Sequence, residues 1–176
     1  MFKLVVEYCV KYFSDIDINE FIASSIKNSA NSLTRYFLNQ IKTVDSFNFY
    51  KLDFAYVDQS NCNALYYCLI NNNFDIFAMI FDKIEKFGDN NKYSNKSTST
   101  TDYNNISEEL INKRIYYGRN LIHVICEKDS NIKFLDLILE RKIKVDFYCG
   151  GLKEKIPLFI VLENNCFQIF KYFPIL

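Results

Sequence analysis

Tryptophan is absent from this chain, histidine occurs once, proline twice and glycine four times. So few turn formers argue against a sandwich or barrel, which needs many tight turns. Basic and acidic residues number 21 each, so the cationic surplus that a nucleic-acid surface needs is missing and no nucleic-acid partner is expected. The nearest thing to a basic patch, Arg141-Lys142-Ile143-Lys144, reads as the charged end of a helix. No run approaches the ~18 apolar residues of a membrane span. The apolar start Met1–Val6 is broken by Glu7 and Lys11, with no small-residue cleavage site behind it. No membrane partner is expected, and the chain reads as cytoplasmic. Among six cysteines (9, 62, 68, 126, 149 and 166) no pair has C-x-x-C spacing, and one histidine adds little toward a metal site. No cofactor or metal is expected. Apolar neighbours, as in Tyr67-Cys68-Leu69 and Ile125-Cys126, predict buried reduced thiols.

What is present is apolar and aromatic: 49% hydrophobic residues and 17% aromatics, all Phe or Tyr, suffice for a packed and mostly helical domain. One stretch breaks the pattern. From Gly88 to Ser107 the chain reads GDNNKYSNKSTSTTDYNNIS, with Ile106 its single aliphatic residue. Such a segment buries too little to offset its ordering entropy and is predicted to be a flexible polar insert over 85–107.

Apolar residues recur at helical spacing on both sides of it. Leu65, Cys68 and Leu69 form one stripe and Ile76, Met79 and Ile80 another, with Asn71-Asn72-Asn73 between them as a turn signal. The arrangement returns as Ile122 and Ile125, then Asp129-Ser130-Asn131, then Phe134, Leu137 and Ile138. It returns again as Leu158, Val161 and Leu162, then Asn164-Asn165, then Ile169, Tyr172 and Phe173. Three helix–turn–helix units of one design make an internal repeat. Asn61-x-Asn63-Ala64-Leu65-Tyr66, Gly118-x-Asn120-Leu121-Ile122-His123 and Glu154-x-Ile156-Pro157-Leu158-Phe159 hold the same place in each. Leu65 stands 57 positions before Ile122, and Ile122 stands 36 before Leu158. Against a period of about 33, the second interval is long by about three residues and the first by about 24, close to the length of the polar stretch.

These units resemble ankyrin repeats, a turn plus two helices around T-P-L-H-x-A. The best match is Gly118-Arg119-Asn120-Leu121-Ile122-His123, followed by a second helix ending Leu137-Ile138-Leu139-Glu140-Arg141. Pro157-Leu158 keeps the Pro-Leu pair, Cys68 is small where the family has alanine, and Ile111-Asn112 sits where the family often has Val-Asn. No unit has the full tetrapeptide, the middle unit carries one extra residue near Ser130, and Asn mostly replaces glycine. The resemblance implies an all-α, ankyrin-type helix–turn–helix solenoid of three to four units with a disordered polar insert. Its repeats would span 51–84, 108–145 and 146–176, around the insert at 85–107. Residues 1–50 would be a helical N-terminal cap or a degenerate first repeat, with helices near Ile18–Ile22 and Ser32–Leu38 and a turn at Asn28. Leu65, Ile122 and Leu158 should stand in register through one continuous core.

Catalytic readings find little to stand on. His123 would hydrogen-bond backbone in its turn, and no nucleophile is matched to it. Gly150-Gly151 lacks the Lys-Ser/Thr of a phosphate loop. Glu108-Glu109 follows Ser107 at an expected helix start, where acids complement the helix N-terminus. Cys149 reads as a turn thiol. No enzyme is therefore expected, and recognition remains. The resemblance implies a concave face of turn fingers and first helices that holds another protein, as in an adaptor or inhibitor. Its candidate contacts are Tyr56, Gln59, Tyr116, Tyr117, Arg119, Tyr148 and Lys153, since Tyr and Arg are favoured at hot spots. The competing reading is a structural or degenerate repeat protein without a dedicated ligand. The last helix is apolar where a terminal cap turns polar, which suits self-association through the C-terminal edge or continuation of the array.

Overall fold

The computed structural model describes residues 17–40, 53–91, 103–150 and 155–173, and for 40, 85–91 and 103–105 it describes the backbone alone. Every regular element among them is helical. The elements are α1 (Ile18–Lys27), α2 (Asn31–Gln40), α3 (Ala64–Ile70), α4 (Phe74–Asn91), α5 (Tyr103–Asn112), α6 (Leu121–Ile125), α7 (Ile132–Glu140), α8 (Pro157–Glu163) and α9 (Phe167–Phe170). Short 3-10 turns lie at Tyr116–Gly118 and Asp129–Asn131. No described helix is long and apolar enough to cross a membrane.

The helices pair along the chain and the pairs stack in order. α1, α3, α6 and α8 form one row of neighbours, and α2, α4, α7 and α9 form a second row beside it. α5 stands outside this alternation, against α4 and α6. The stacking explains burial that an amphipathic pattern does not. All five residues of α6, Leu121 to Ile125, are buried, as are Leu65 to Leu69 of α3, because each helix has neighbours on both sides. The second row is one-sided. On α4 the buried set Ile76, Phe77, Ile80, Phe81 and Ile84 marks a single stripe at helical spacing. Leu65 and Ile122 are fully covered, whereas Leu158 is half-buried: it lies in the last described pair, which has a neighbour on one side alone.

The first helix of each pair starts from a residue suited to the place. Asp17 Oδ1 accepts the Asn19 N–H at 2.8 Å, Asn63 Oδ1 the Tyr66 N–H at 2.9 Å, and Asn120 Oδ1 the His123 N–H at 3.2 Å. α8 begins with Pro157, which has no N–H to leave unpaired. Three of the turns within pairs are also one motif. Ser29, Asn72 and Asn165 sit at φ 57°, 51° and 54°, the left-handed conformation that ends a helix. The next residue then reaches back five positions: Ala30 N–H to the Ser25 carbonyl at 2.8 Å, Asn73 to Cys68 at 2.7 Å and Cys166 to Val161 at 2.9 Å. Asn tolerates this backbone better than other non-glycine side chains, which suits Asn72 and Asn165 to these stops. The turn between α6 and α7 departs from the motif. Its extra residue is taken up by the 3-10 turn, and no residue from Cys126 to Asn131 has positive φ.

The same left-handed stop closes α7, at Lys142 (φ 55°). Lysine gains nothing from that conformation, and Lys142 is exposed. Lys142→Gly is therefore expected to stabilise the fold by about 0.5–1 kcal/mol, read as a higher urea midpoint at unchanged slope. Beside it, Arg141 pairs with Asp82 of α4 at 2.7 Å, so the basic cluster does begin at a helix end.

α4 continues to Asn91 and α5 begins at Tyr103, so both flanks of the predicted 85–107 insert are helical, and residues 92–102 lie outside those described. Ser107 is buried inside α5 rather than starting it. Leu110 and Ile111, fully buried, anchor that helix against the stack.

Candidate partner-binding face

Between pairs the chain makes finger-like hairpins whose tips repeat residue for residue. At the first, the Asp58 N–H donates to the Cys62 carbonyl at 2.9 Å and the Asn61 N–H to the Asp58 carbonyl at 2.8 Å. At the second, 57 positions on, the Ile115 N–H donates to the Arg119 carbonyl at 2.8 Å and the Gly118 N–H to the Ile115 carbonyl at 2.8 Å. The bases of the fingers repeat as well. The Asp53 and Asp146 side chains accept N–H groups two residues on, from Ala55 and Tyr148, each at 2.9 Å. Their own N–H groups donate to Asn19 Oδ1 and Asn112 Oδ1, each at 2.8 Å, tying finger to neighbour.

One substitution makes the tips differ. Asp58 Oδ1 accepts the N–H groups of Ser60 (2.8 Å) and Cys62 (3.0 Å) and sets the first tip locally. The second tip has buried Ile115 there, which offers no acceptor. Tyr117 (φ 55°, ψ 33°) and Gly118 (φ 70°) are instead both left-handed, as in a type I′ turn. For an aromatic residue that conformation is strained. Tyr117 is nonetheless 60% exposed, with its ring 4.2 Å edge-on from Tyr116.

Tyr116 in turn lies 5.6 Å from Tyr66 of α3, and Tyr66 lies 5.7 Å from Tyr67, so four rings run from the finger onto the first row of helices. Lys27 sits 5.3 Å above the Tyr67 ring and 3.7 Å from Asp58 Oδ2, which accepts the Tyr67 hydroxyl at 2.5 Å. Burial pushes the Asp58 carboxyl up, but the Tyr67 hydroxyl and the N–H groups of Cys62 and Ser60 outweigh it and hold the group below its ordinary value. Burial, then the Asp58 hydrogen bond, pushes the Tyr67 phenol the other way. Tyr66 is raised by burial, against the pull of Arg119.

Charge on this face is paired within the chain. Arg119 pairs with Glu127, and 36 positions on Lys155 pairs with Glu163 at 2.6 Å. The matching place 57 positions earlier holds Cys62 and Ile70, an apolar couple, and Ile70 is 48% exposed.

Of the expected contact residues, Tyr116, Tyr117 and Arg119 come together with Tyr66. Gln59 is exposed on the neighbouring tip. Tyr148 is exposed at the base of the third finger, away from that cluster in the chain. Tyr56 is half-buried beside a cavity of ≈ 20 Å³ that Asn19 and Ala64 also line. Burial, then the charges of Glu20 and Asp17, raises its pKa. Lys153 lies outside the described residues. Sequence reasoning missed Tyr66 and Ile70. The signal for Ile70 was its place in register with Glu127 and Glu163, an apolar residue where the repeat carries acid.

The chemistry available here is recognition by rings and paired charges. Cys62, Cys68, Cys126 and Cys166 are buried, and burial raises each thiol, leaving little thiolate at neutral pH. Asn63 Nδ2 is buried with no hydrogen-bond partner among the described residues, whereas Asn120 Nδ2, at the same place in the next pair, donates to the Asp146 carbonyl at 3.3 Å. No family model matches the chain, and no curated protein sequence matches it either.

Proposed function

We propose that the chain is an ankyrin-type solenoid acting as a non-catalytic, cytoplasmic protein-binding module, an adaptor or an inhibitor that covers its partner. The repeated caps, left-handed turns and finger tips support the solenoid reading, which makes the α1–α2 pair a first repeat rather than an unrelated cap. The observation that carries the binding reading is Tyr117. A large, solvent-facing ring is held on a strained backbone, beside Tyr116 and Tyr66. Strain of ~1–3 kcal/mol at an exposed aromatic is hard to account for by folding, and it pre-organises an interface anchor. A protein partner fits better than a nucleic acid, because Arg119 and Lys155 are already neutralised by Glu127 and Glu163.

The test separates folding from binding in one substitution. Tyr117→Asn creates Asn-Gly, the pair that a type I′ turn prefers. It should raise stability by about 0.5–1 kcal/mol after the lost ring contact is counted. Affinity for a partner captured stoichiometrically from cytosolic extract should meanwhile fall by about tenfold or more. Equal capture by both proteins would remove Tyr117 from the interface. The second reading, a structural repeat protein with no dedicated ligand, draws on the same internal pairing of charge. No stoichiometric partner for the folded chain would favour it.

A further inference from the structure

The α8–α9 pair exposes side chains whose counterparts elsewhere are covered. Phe167 and Phe170 on α9 are 70% and 39% exposed, and Phe159 and Leu162 on α8 are 53% and 50% exposed. Phe74 and Phe77 occupy the same places on α4, 93 residues earlier, following the same left-handed turn. Those two rings clasp Phe134 of the next pair, at 5.4 and 4.9 Å between centroids. Leu162 corresponds likewise to Cys126 and Leu69, both buried. The α8–α9 surface therefore repeats a face that, two pairs earlier in the stack, is an interior packing surface.

We propose that this face binds the same face of a second copy of the chain, giving a two-fold symmetric dimer. Composition selects the occupant. The exposed positions of α1 and α2 are polar or charged, among them Glu20, Ser24, Ser32 and Asn39. Head-to-tail stacking would set the apolar face on that polar one, so the face complements itself better than the opposite end. Area agrees. With aromatic side chains burying roughly 150–250 Å² each, the four groups expose on the order of 400 Å² of apolar surface. Two such faces supply about 800 Å², roughly two-thirds of the ~1,200 Å² at which stable interfaces begin. About two-thirds is also the apolar share of homodimer interfaces.

Sedimentation equilibrium of the full chain over about 1–100 µM tests this. The expected result is a single dimer mass. Phe167→Lys and Leu162→Glu, both on solvent-facing positions, should each weaken the dimer at least about tenfold while leaving the helical circular dichroism signal unchanged. A monomer across the range overturns the proposal, as does an open series of larger species, the mark of head-to-tail stacking. A dimer untouched by either substitution places its interface on another face and overturns it equally.

Discussion

Truncation of Phe134 to alanine should cost about 3–5 kcal/mol of folding free energy. Phe134 is fully buried on α7, and its ring meets Phe77 at 4.9 Å and Phe74 at 5.4 Å, both from α4 of the preceding pair. Phe77 continues the cluster to Phe81 at 5.1 Å. The contact is thus a joint between pairs as well as a part of the core. In a stack where each pair touches its neighbours alone, stability is the sum of weak intrinsic terms and the joints between pairs. Loss of one joint should uncouple the pairs on either side of it. The expected urea curve of Phe134→Ala is accordingly broadened or two-stepped, where the parent gives one transition. Phe134→Leu, which keeps most of the volume, should cost less than about 1.5 kcal/mol and leave the transition single. A loss under about 1 kcal/mol for the alanine variant would move the coupling between pairs away from the second row.

Phe134 also shows what the sequence made legible. Its place in the stripe Phe134, Leu137, Ile138 follows from spacing, and so does the pairing of helices around Asn-rich turns. The Asn residues did more than punctuate. Asn72 and Asn165 take the left-handed stop itself. The start of helix α5 was hidden because its first residues are Tyr-Asn-Asn-Ile-Ser, whose composition is that of a loop, so the helix is expected only from Ser107 on. Leu110 and Ile111 hold it through tertiary packing, which no local window registers. The face was legible in part. Tyr116, Tyr117 and Arg119 follow from a turn before a repeat helix. The left-handed backbone of Tyr117 does not, because it depends on what Ile115 lacks, a side-chain acceptor such as that of Asp58. Tyr66 joins the cluster through a contact 50 residues away in sequence, between α3 and the next finger.

Replacing Asn120 by alanine should cost about 2–4 kcal/mol, because one side chain satisfies two buried backbone groups at once. Asn120 Oδ1 caps the His123 N–H at 3.2 Å, Asn120 Nδ2 donates to the Asp146 carbonyl of the next finger at 3.3 Å, and the Asn120 backbone N–H donates to His123 Nδ1 at 3.3 Å. Both residues are fully buried, so none of these groups regains water when the partner goes. The neighbouring ring makes the cost depend on pH. His123 Nε2 lies 3.1 Å from the Lys155 carbonyl, which can only accept, so that nitrogen carries the proton of the neutral ring. Burial lowers the His123 pKa below its ordinary 6.5, and the charges of Arg119 and Arg114 add to the effect, against the pull of the Lys155 and Cys149 carbonyls. The unfolded chain therefore takes up the proton first as pH falls. The stability contributed by the neutral ring is whole above about pH 6.5 and is lost progressively as pH drops from there through the folded pKa, with a slope of at most ~1.4 kcal/mol per pH unit. Urea midpoints measured at pH 7.5 and 5.5 should fall for the parent chain, and the fall should be smaller in His123→Gln, which cannot titrate. An equal fall in both would take the acid sensitivity of this range away from His123; Asp58, whose lowered pKa gives the same sign, acts only below about pH 5. A parent chain more stable at pH 5.5 would mean that the ring is charged in the fold, held by Asn120 Oδ1 and the Lys155 carbonyl together.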